Sequence, residues 1–238
     1  IGTGRIGDVH ARSVHAHPDT VLHRVADVFL ESAQRVAGQF GGEATDNPES
    51  LFSSGDIDLV IIASPTSTHI DLIDQAIDAG IPALCEKPID LDIERVDRLR
   101  EKANASSVPI GLGFNRRFDP HFASVHERTQ AGEIGQLEQL LLTSRDPAPA
   151  PNDYLAVSGG IFRDMAIHDF DMARFFIPEI VSVSAQGFNQ FSQDIKELGD
   201  FDSTAITLRG SKDELVLISN SRHAAYGFDQ RLEAFGSE

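Results

Sequence analysis

The first half of the chain alternates short apolar segments, rich in β-branched residues, with longer segments in which apolar residues recur every three or four positions. The short segments predict strands at residues 21–27, 59–64, 82–86 and 110–114. The longer segments predict amphipathic helices at residues 6–17, 31–40, 69–79 and 93–105. Because strands and helices alternate, we predict an α/β domain with a doubly wound parallel sheet over residues 1–114.

The second half has a different pattern. Helices are predicted at residues 120–131 and 161–176, and strands at 137–143, 180–191, 203–208, 214–219 and 230–235. A proline-rich loop lies at residues 146–152 and is suited to a binding surface. Since consecutive strands without intervening helices favour antiparallel pairing, residues 115–238 are expected to form an α+β domain with a mixed, largely antiparallel sheet. The chain opens on Ile1 and stops just after the last strand, so we expect it to be truncated at both ends.

Composition and charge narrow the choice of partners. Of the 238 residues, 41% are apolar and 24% are charged, and the net charge is −17. A surface this negative repels nucleic-acid phosphate and anionic lipid, so neither nucleic acid nor a membrane surface is an expected partner. The single cysteine excludes an internal disulfide and favours a reducing, cytoplasmic compartment.

The segment Gly2-Thr3-Gly4-Arg5-Ile6-Gly7 matches G-x-G-x-x-G at the start of the first predicted helix. Positions without a Cβ permit a tight turn and let a pyrophosphate approach the backbone at a helix N-terminus, although a bare glycine turn that binds nothing has the same pattern. Asp27 ends the next predicted strand, 20 positions after Gly7, where a carboxylate can bond adenosine ribose hydroxyls. Residues 28–30 supply no cation for a ribose phosphate, so we predict a Rossmann domain that binds NAD in preference to NADP.

Two further motifs carry candidate chemistry. Lys87, one of only four lysines, follows a predicted strand at the edge where open α/β sheets bind ligands. Taken alone, the pattern favours a surface lysine before a helix-starting proline. On the helix predicted at 161–176, the spacing of Asp164, His168 and Asp171 places all three on one face. A structural Asp–His pair remains an alternative. A metal site is not expected, because His168 and Asp171 have no further ligand at a suitable spacing.

Together these motifs resemble the glucose-fructose oxidoreductase, inositol dehydrogenase and MocA-type family, and particularly its inositol-oxidising members. The glycine turn, Ser64-Pro65-Thr66 with His69, and Glu86-Lys87-Pro88 carry the resemblance in the first half. In the second half it rests on residues 113–120, 144–147 and 158–174. The resemblance implies that Ser64, His69, Glu86 and Lys87 join the glycine turn and Asp27 in holding the cofactor. It also implies a homotetramer.

The resemblance further implies a catalytic set of Lys87, Asp164 and His168 that oxidises a cyclitol, with myo-inositol expected. Alcohol oxidation removes a hydroxyl proton while hydride leaves carbon, and imidazole has an unperturbed pKa near neutrality, so His168 is assigned as the general base. Lys87 is expected to stabilise the developing alkoxide, and Asp164 to bond a substrate hydroxyl and hold the other two side chains in place.

The substrate contacts implied by the resemblance are Arg117, Asp146 and Tyr226, with Phe228 as an alternative to Tyr226. A packing role is the alternative for each of them. The main competing function is a dehydrogenase of another polyol, such as scyllo-inositol, glucose or galactose, with the same catalytic residues. A second competing function is a non-catalytic NAD-binding sensor, which has no need of Lys87, Asp164 and His168 together.

Overall fold

A computed structural model describes all residues, 1–238, and they divide into two compact units, Ile1–Gly113 and Phe114–Glu238. The four helices of the first unit are α1 (Arg5–Ala16), α2 (Leu30–Phe40), α3 (His69–Ala79) and α4 (Ile93–Ala105). Its five strands are β1 (Arg24–Ala26), β2 (Glu43–Thr45), β3 (Val60–Ile62), β4 (Ala83–Cys85) and β5 (Ile110–Leu112). Short 3-10 helices lie at Pro48–Ser53 and Thr66–Thr68.

The strands of the first unit are parallel, which confirms the predicted Rossmann arrangement. β1 pairs with β2, and β3, β4 and β5 form a three-stranded sheet in that order. Backbone bonds of the first two residues join these sheets, since Gly2 N donates to Ala26 O at 2.8 Å and Ala63 N donates to Ile1 O at 2.8 Å. Strand β2 is absent from the sequence prediction, because its three residues lack an apolar run.

The second unit is built around one five-stranded sheet. Its strands are β6 (Leu137–Arg145), β7 (Ile180–Phe188), β8 (Ser203–Gly210), β9 (Leu215–Ser221) and β10 (Asp229–Gly236). The helices are α5 (Pro120–Gln130), α6 (Asn152–Leu155), α7 (Ile161–Asp164), α8 (Ala166–Phe176) and α9 (Gln193–Glu197), with a 3-10 helix at Asn115–Phe118. The strand order is β10-β6-β9-β8-β7, and only β6 and β9 run parallel, so the predicted mixed sheet is confirmed.

The two faces of this sheet differ. Helix α8 packs on one face, where Met172 and Phe176 join Leu140, Ile206 and Val216 in a single apolar core. Alternation along β8 and β9 sends every second side chain to the other face, which is exposed. None of the helices in either unit has the length and apolar character needed to cross a lipid bilayer.

One prediction in this unit is wrong. The continuous helix expected over residues 161–176 is divided at Met165, whose backbone angles are φ −98° and ψ −57°. Asp164 therefore ends α7, while His168 and Asp171 belong to α8. The sequence pattern does not reveal the division, because the buried side chains Ile161, Met165 and Met172 keep the spacing of an uninterrupted helix.

Candidate active site

The three glycines of the turn have different roles in the structure. Gly2 has φ +85°, and a Cβ there would collide with Ser64 N. A Cβ on Gly7 would collide with Gly2 O, so both positions are required by the close packing of the turn. A Cβ on Gly4, by contrast, would meet nothing within 4 Å. Gly4 therefore borders open space just before the N-terminus of α1, where an anionic group is favoured.

Asp27 is held in place beside this turn. Its Oδ2 accepts hydrogen bonds from Thr3 N at 2.8 Å and Thr3 Oγ1 at 2.7 Å, and its Oδ1 accepts one from Phe29 N at 3.0 Å. Partial burial acts to raise the pKa of Asp27, but the hydrogen bonds from Phe29 and Thr3 outweigh it and lower the pKa below its usual value. The carboxylate is thus charged at neutral pH and fixed at the end of β1.

His69, a predicted cofactor residue, is buried between the loops that follow β3 and β4. Its ring is 1% exposed, and Nδ1 lies 2.8 Å from Pro88 O while Nε2 lies 2.8 Å from Ser64 O. Both ring nitrogens are therefore engaged by backbone carbonyls. The buried ring joins the loop after β3 to the loop after β4, so its contribution in the structure is to fix the Ser64 and Lys87-Pro88 segments relative to each other.

The Glu86-Lys87-Pro88 segment follows β4. Glu86 Oε1 lies 2.7 Å from Nε2 of His10 on α1, so the Glu86 carboxylate is tied to the helix that follows the glycine turn. Lys87 is partly buried at the carboxyl end of the parallel sheet, as the sequence predicts. Burial, with the nearby charge of Glu86, raises the pKa of the Cys85 thiol to about 12, so Cys85 stays a neutral packing residue at physiological pH.

In the second unit, Asp164 is held by two side chains that the sequence analysis did not identify. Tyr154 Oη donates to Asp164 Oδ1 at 2.7 Å, and Arg222 Nη1 lies 3.5 Å from Asp164 Oδ2. His168 lies in the first turn of α8 and is partly buried, with its ring edge-on to Phe114 at a centroid distance of 6.4 Å. Tyr154 belongs to α6, a helix that begins at Asn152, the last residue of the predicted loop.

The expected substrate residue Arg117 is paired with Asp171. Arg117 Nε and Nη2 donate to the two carboxylate oxygens of Asp171 at 2.8 and 2.6 Å, and the guanidinium stacks over Phe175 at 5.0 Å. This bidentate pair raises the pKa of Arg117 and anchors the 3-10 helix to α8. Asp171 thus has a cationic partner of its own.

The remaining expected substrate residues lie at the ends of β6 and β10. Asp146 directly follows β6, and its N–H donates to Ser221 O at 3.0 Å. Tyr226 Oη accepts from Arg145 at 2.7 Å and donates to Asp229 Oδ2 at 2.6 Å. Phe228, the alternative to Tyr226, is exposed and has no polar group. The hydroxyl of Tyr226 is therefore already oriented by charged neighbours.

A buried polar cluster beside His168 was also missed. Asp169 is 1% exposed, and its carboxylate accepts from Arg116 at 2.6 Å, Ser144 at 2.7 Å and Asn220 at 2.6 Å. Asn220 Oδ1 in turn accepts from Thr204 at 2.9 Å. These contacts tie α8 to the interior strands of the sheet and so fix the helix that carries His168. These contacts join residues that are far apart in the sequence, so no local motif predicts them.

The residues of the first unit fit a dinucleotide. The open space at Gly4 and the N-terminus of α1 suit a pyrophosphate, and the fixed carboxylate of Asp27 suits a pair of ribose hydroxyls. Val28 and Phe29, the next residues, are exposed and uncharged. No three His, Cys, Asp or Glu side chains come together as a metal site requires.

Comparison with known proteins assigns this arrangement to a family. A family model described as an oxidoreductase family with an NAD-binding Rossmann fold matches residues 1–114, and a model of the GFO/IDH/MocA C-terminal domain matches residues 122–238. The chain belongs to the Gfo/Idh/MocA family of NAD-dependent oxidoreductases, which confirms the class and cofactor predicted from its sequence.

The relatives indicate where in this family the chain lies. It is 46% identical to the inositol 2-dehydrogenase of Rhizobium meliloti, an alignment that covers 100% of this chain and 72% of that one. The crystal structure of a myo-inositol dehydrogenase from Corynebacterium glutamicum has 60% identity and a TM-score of 0.96, and covers 99% of this chain and 71% of that one. The scyllo-inositol dehydrogenase of Lactobacillus casei, solved with NAD(H) and scyllo-inositol, has 29% identity and a TM-score of 0.89. The match covers 99% of this chain and 72% of that one.

Proposed function

We propose that this oxidoreductase acts on a secondary CH–OH group of a cyclitol and converts myo-inositol to 2-keto-myo-inositol in inositol catabolism. The observation that carries the proposal is the set of oriented polar groups in the second unit. Asp164, the Arg117–Asp171 pair and Tyr226 are each fixed by hydrogen bonds of 2.6 to 2.8 Å. A polyol is recognised by several directed hydrogen bonds, whereas an apolar substrate needs an apolar slot. The named inositol dehydrogenases among the relatives support the same substrate class.

The reaction breaks a C–H bond and an O–H bond of the substrate. The hydride and the proton that are released go to different acceptors. NAD, when bound by the glycine turn and Asp27, supplies the acceptor for the hydride that leaves carbon. His168 takes the hydroxyl proton, for which an imidazole is suited near neutral pH. Lys87 stabilises the negative charge that develops on the same oxygen. Asp164 accepts a hydrogen bond from a neighbouring substrate hydroxyl and so fixes which carbon reacts.

The substrate contacts follow from the residues that are already oriented. The Arg117–Asp171 pair presents a donor and an acceptor at a fixed separation, which suits adjacent hydroxyls of a ring. Asp146 adds an acceptor, and Tyr226 is preferred to Phe228 because it carries a hydroxyl group. Scyllo-inositol, glucose and galactose are the competing substrates. The same catalytic residues can oxidise any of these polyols, and only the substrate contacts need to differ.

The proposal extends to assembly and location. The exposed face of the five-stranded sheet carries Val183 and Leu217 beside small polar residues, and we assign it to the contacts of a homotetramer. Light scattering or analytical ultracentrifugation measures the assembly directly. A cytoplasmic location is consistent with one buried, unpaired cysteine.

The test is NADH formation, followed by its near-ultraviolet absorbance, with NAD and a panel of myo-inositol, scyllo-inositol, glucose and galactose. We expect the highest kcat/KM with myo-inositol. His168→Ala should lower kcat by at least about 100-fold while changing the NAD dissociation constant less than twofold, because a general base acts on the chemical step. NAD binding without turnover of any polyol would refute the enzyme assignment and support the sensor. Equal losses of turnover and NAD affinity in His168→Ala would refute the role of His168.

A further inference from the structure

Arg222 is the most deeply buried cationic side chain of the second unit, and the reaction above does not use it. It follows β9, and its side chain is 2% exposed. Its guanidinium lies between two carboxylates, with Nη1 3.5 Å from Asp164 Oδ2 and Nη2 3.0 Å from Asp200 Oδ2. Its backbone N–H donates to Asp202 O at 2.8 Å, so the start of this side chain is fixed by the sheet.

The same guanidinium is connected to both ends of helix α7. Asp200 Oδ1 accepts from the backbone N–H of Ile161, the first residue of α7, at 2.9 Å. Asp164 is the last residue of this four-residue helix. A Cβ at Gly160, just before the helix, would lie 2.9 Å from Asp200 Oδ1, so the close approach of Asp200 depends on a glycine at that position. Through these two carboxylates, Arg222 links the first residue of α7 to the last.

The arrangement is poorly suited to stability alone. Arg222 Nε is buried without a hydrogen-bond partner, and an unsatisfied buried donor destabilises a fold. A buried ion pair is also often no more stabilising than apolar residues of similar volume. A buried charged cluster that stabilises the fold little, and that surrounds one residue of a candidate active site, is expected where function requires a fixed side-chain geometry.

Tyr154 completes the arrangement from the opposite side of the carboxylate. Its hydroxyl donates to Oδ1 of Asp164 at 2.7 Å, whereas Arg222 faces Oδ2. Each oxygen of Asp164 thus has its own donor, and rotation of the carboxylate about its χ2 angle would break both contacts. Tyr154 is half-exposed on helix α6, so its removal creates no buried cavity.

We infer that Arg222 and Tyr154 are positioning residues that fix the orientation of the Asp164 carboxylate towards the substrate. The inference rests on the proposed function, because it takes Asp164 to act on the polyol. A carboxylate held in one orientation accepts from a substrate hydroxyl without reorganising, and this lowers the barrier for the chemical step. Neither residue needs to touch substrate or cofactor for this effect.

The test compares Tyr154→Phe and Arg222→Lys with the wild-type chain, and repeats both changes in an Asp164→Asn background. We expect each single variant to lower kcat about tenfold and to leave the NAD dissociation constant within about twofold of wild type. In the Asp164→Asn background, the same changes should lower kcat by less than about twofold, because they act through the missing carboxylate. Arg128→Lys, in an exposed pair on α5, is the matched control and should leave kcat unchanged.

Additive losses in the Asp164→Asn background would overturn the inference, since they show an action that does not pass through Asp164. Unchanged kcat in both single variants would overturn it as well. If Arg222→Lys does not fold, Tyr154→Phe gives the same decision, because it leaves the buried charges in place. Absence of polyol turnover in the wild-type chain, with NAD still bound, would instead refute the proposed function, and the inference would fall with it. If the wild type turns over a polyol and Asp164→Asn does so more slowly, the proposed function stands. A failure of the other variants to behave as expected then counts against the inference alone.

Discussion

Replacement of Asp169 by Asn isolates the contribution of one buried charge to the second unit. The amide has nearly the shape of the carboxylate and keeps an oxygen that accepts from Arg116 and Ser144. Its new N–H donors face Asn220, whose own amide can turn, because the hydroxyl of Thr204 can accept as readily as it donates. The hydrogen-bond pattern is therefore retained in Asp169→Asn, and the main loss is the negative charge opposite Arg116.

The magnitude follows from burial. The side chain of Asp169 is 1% exposed and that of Arg116 10% exposed, so water neither screens the pair nor solvates the cation that remains. Removing one partner of a buried ion pair costs about 3–5 kcal/mol, because it leaves an uncompensated charge. For a unit of this size, that loss corresponds to a fall in Tm of roughly 10–20 °C. Changing Arg116 to Met in the Asp169→Asn variant should recover part of the loss, since the unpaired cation is then absent.

The chain offers a selective assay. It has no Trp and only two Tyr, Tyr154 and Tyr226, and both lie in the second unit, so tyrosine emission during thermal unfolding reports that unit alone. Glu133→Gln is the control, because its pair with Arg128 is exposed and should contribute little. A fall in Tm for Asp169→Asn no larger than that of Glu133→Gln would refute the argument. So would a double variant with Arg116→Met that is less stable than Asp169→Asn alone.

Two further predictions concern the first unit. Gly4→Ala should weaken NAD binding by more than about tenfold with little change in Tm, because its Cβ enters open space beside the helix N-terminus, whereas Gly7→Ala should unfold the unit, because its Cβ collides with Gly2 O. Calorimetric NAD titration and circular dichroism distinguish the two, and comparable loss of stability in both variants would contradict this division. The lowered pKa of Asp27 means that its stabilisation is present above the unfolded value of about 3.9 and is lost as the pH falls through the folded value. Asp27→Asn should therefore be less stable than wild type at pH 7, with a difference that shrinks below about pH 4 in acid unfolding curves; a difference that is constant with pH would contradict the assignment.

Local sequence signals predicted most of the elements. Helices α3 and α4 have the predicted bounds, because an amphipathic period fills each helix from end to end. Strand β2 was missed because its alternation is too short to detect. Helix α6 was missed because its four residues lie directly after a proline-rich segment that signals a loop. The division at Met165 was missed because apolar periodicity continues through it.

The candidate site shows a similar limit at the level of side chains. Sequence motifs identify residues that have a recognisable pattern of adjacent residues, such as Lys87 in Glu86-Lys87-Pro88. They do not identify Arg222, which lies 58 positions from Asp164 and meets it only because the chain after β9 passes beside the end of α7. A buried ion pair becomes visible only when the fold brings its partners together, and its energetic cost can then be weighed against the stability it provides. For Arg222, held between Asp164 and Asp200, that comparison supports a positioning role, and the sequence contains no equivalent of it.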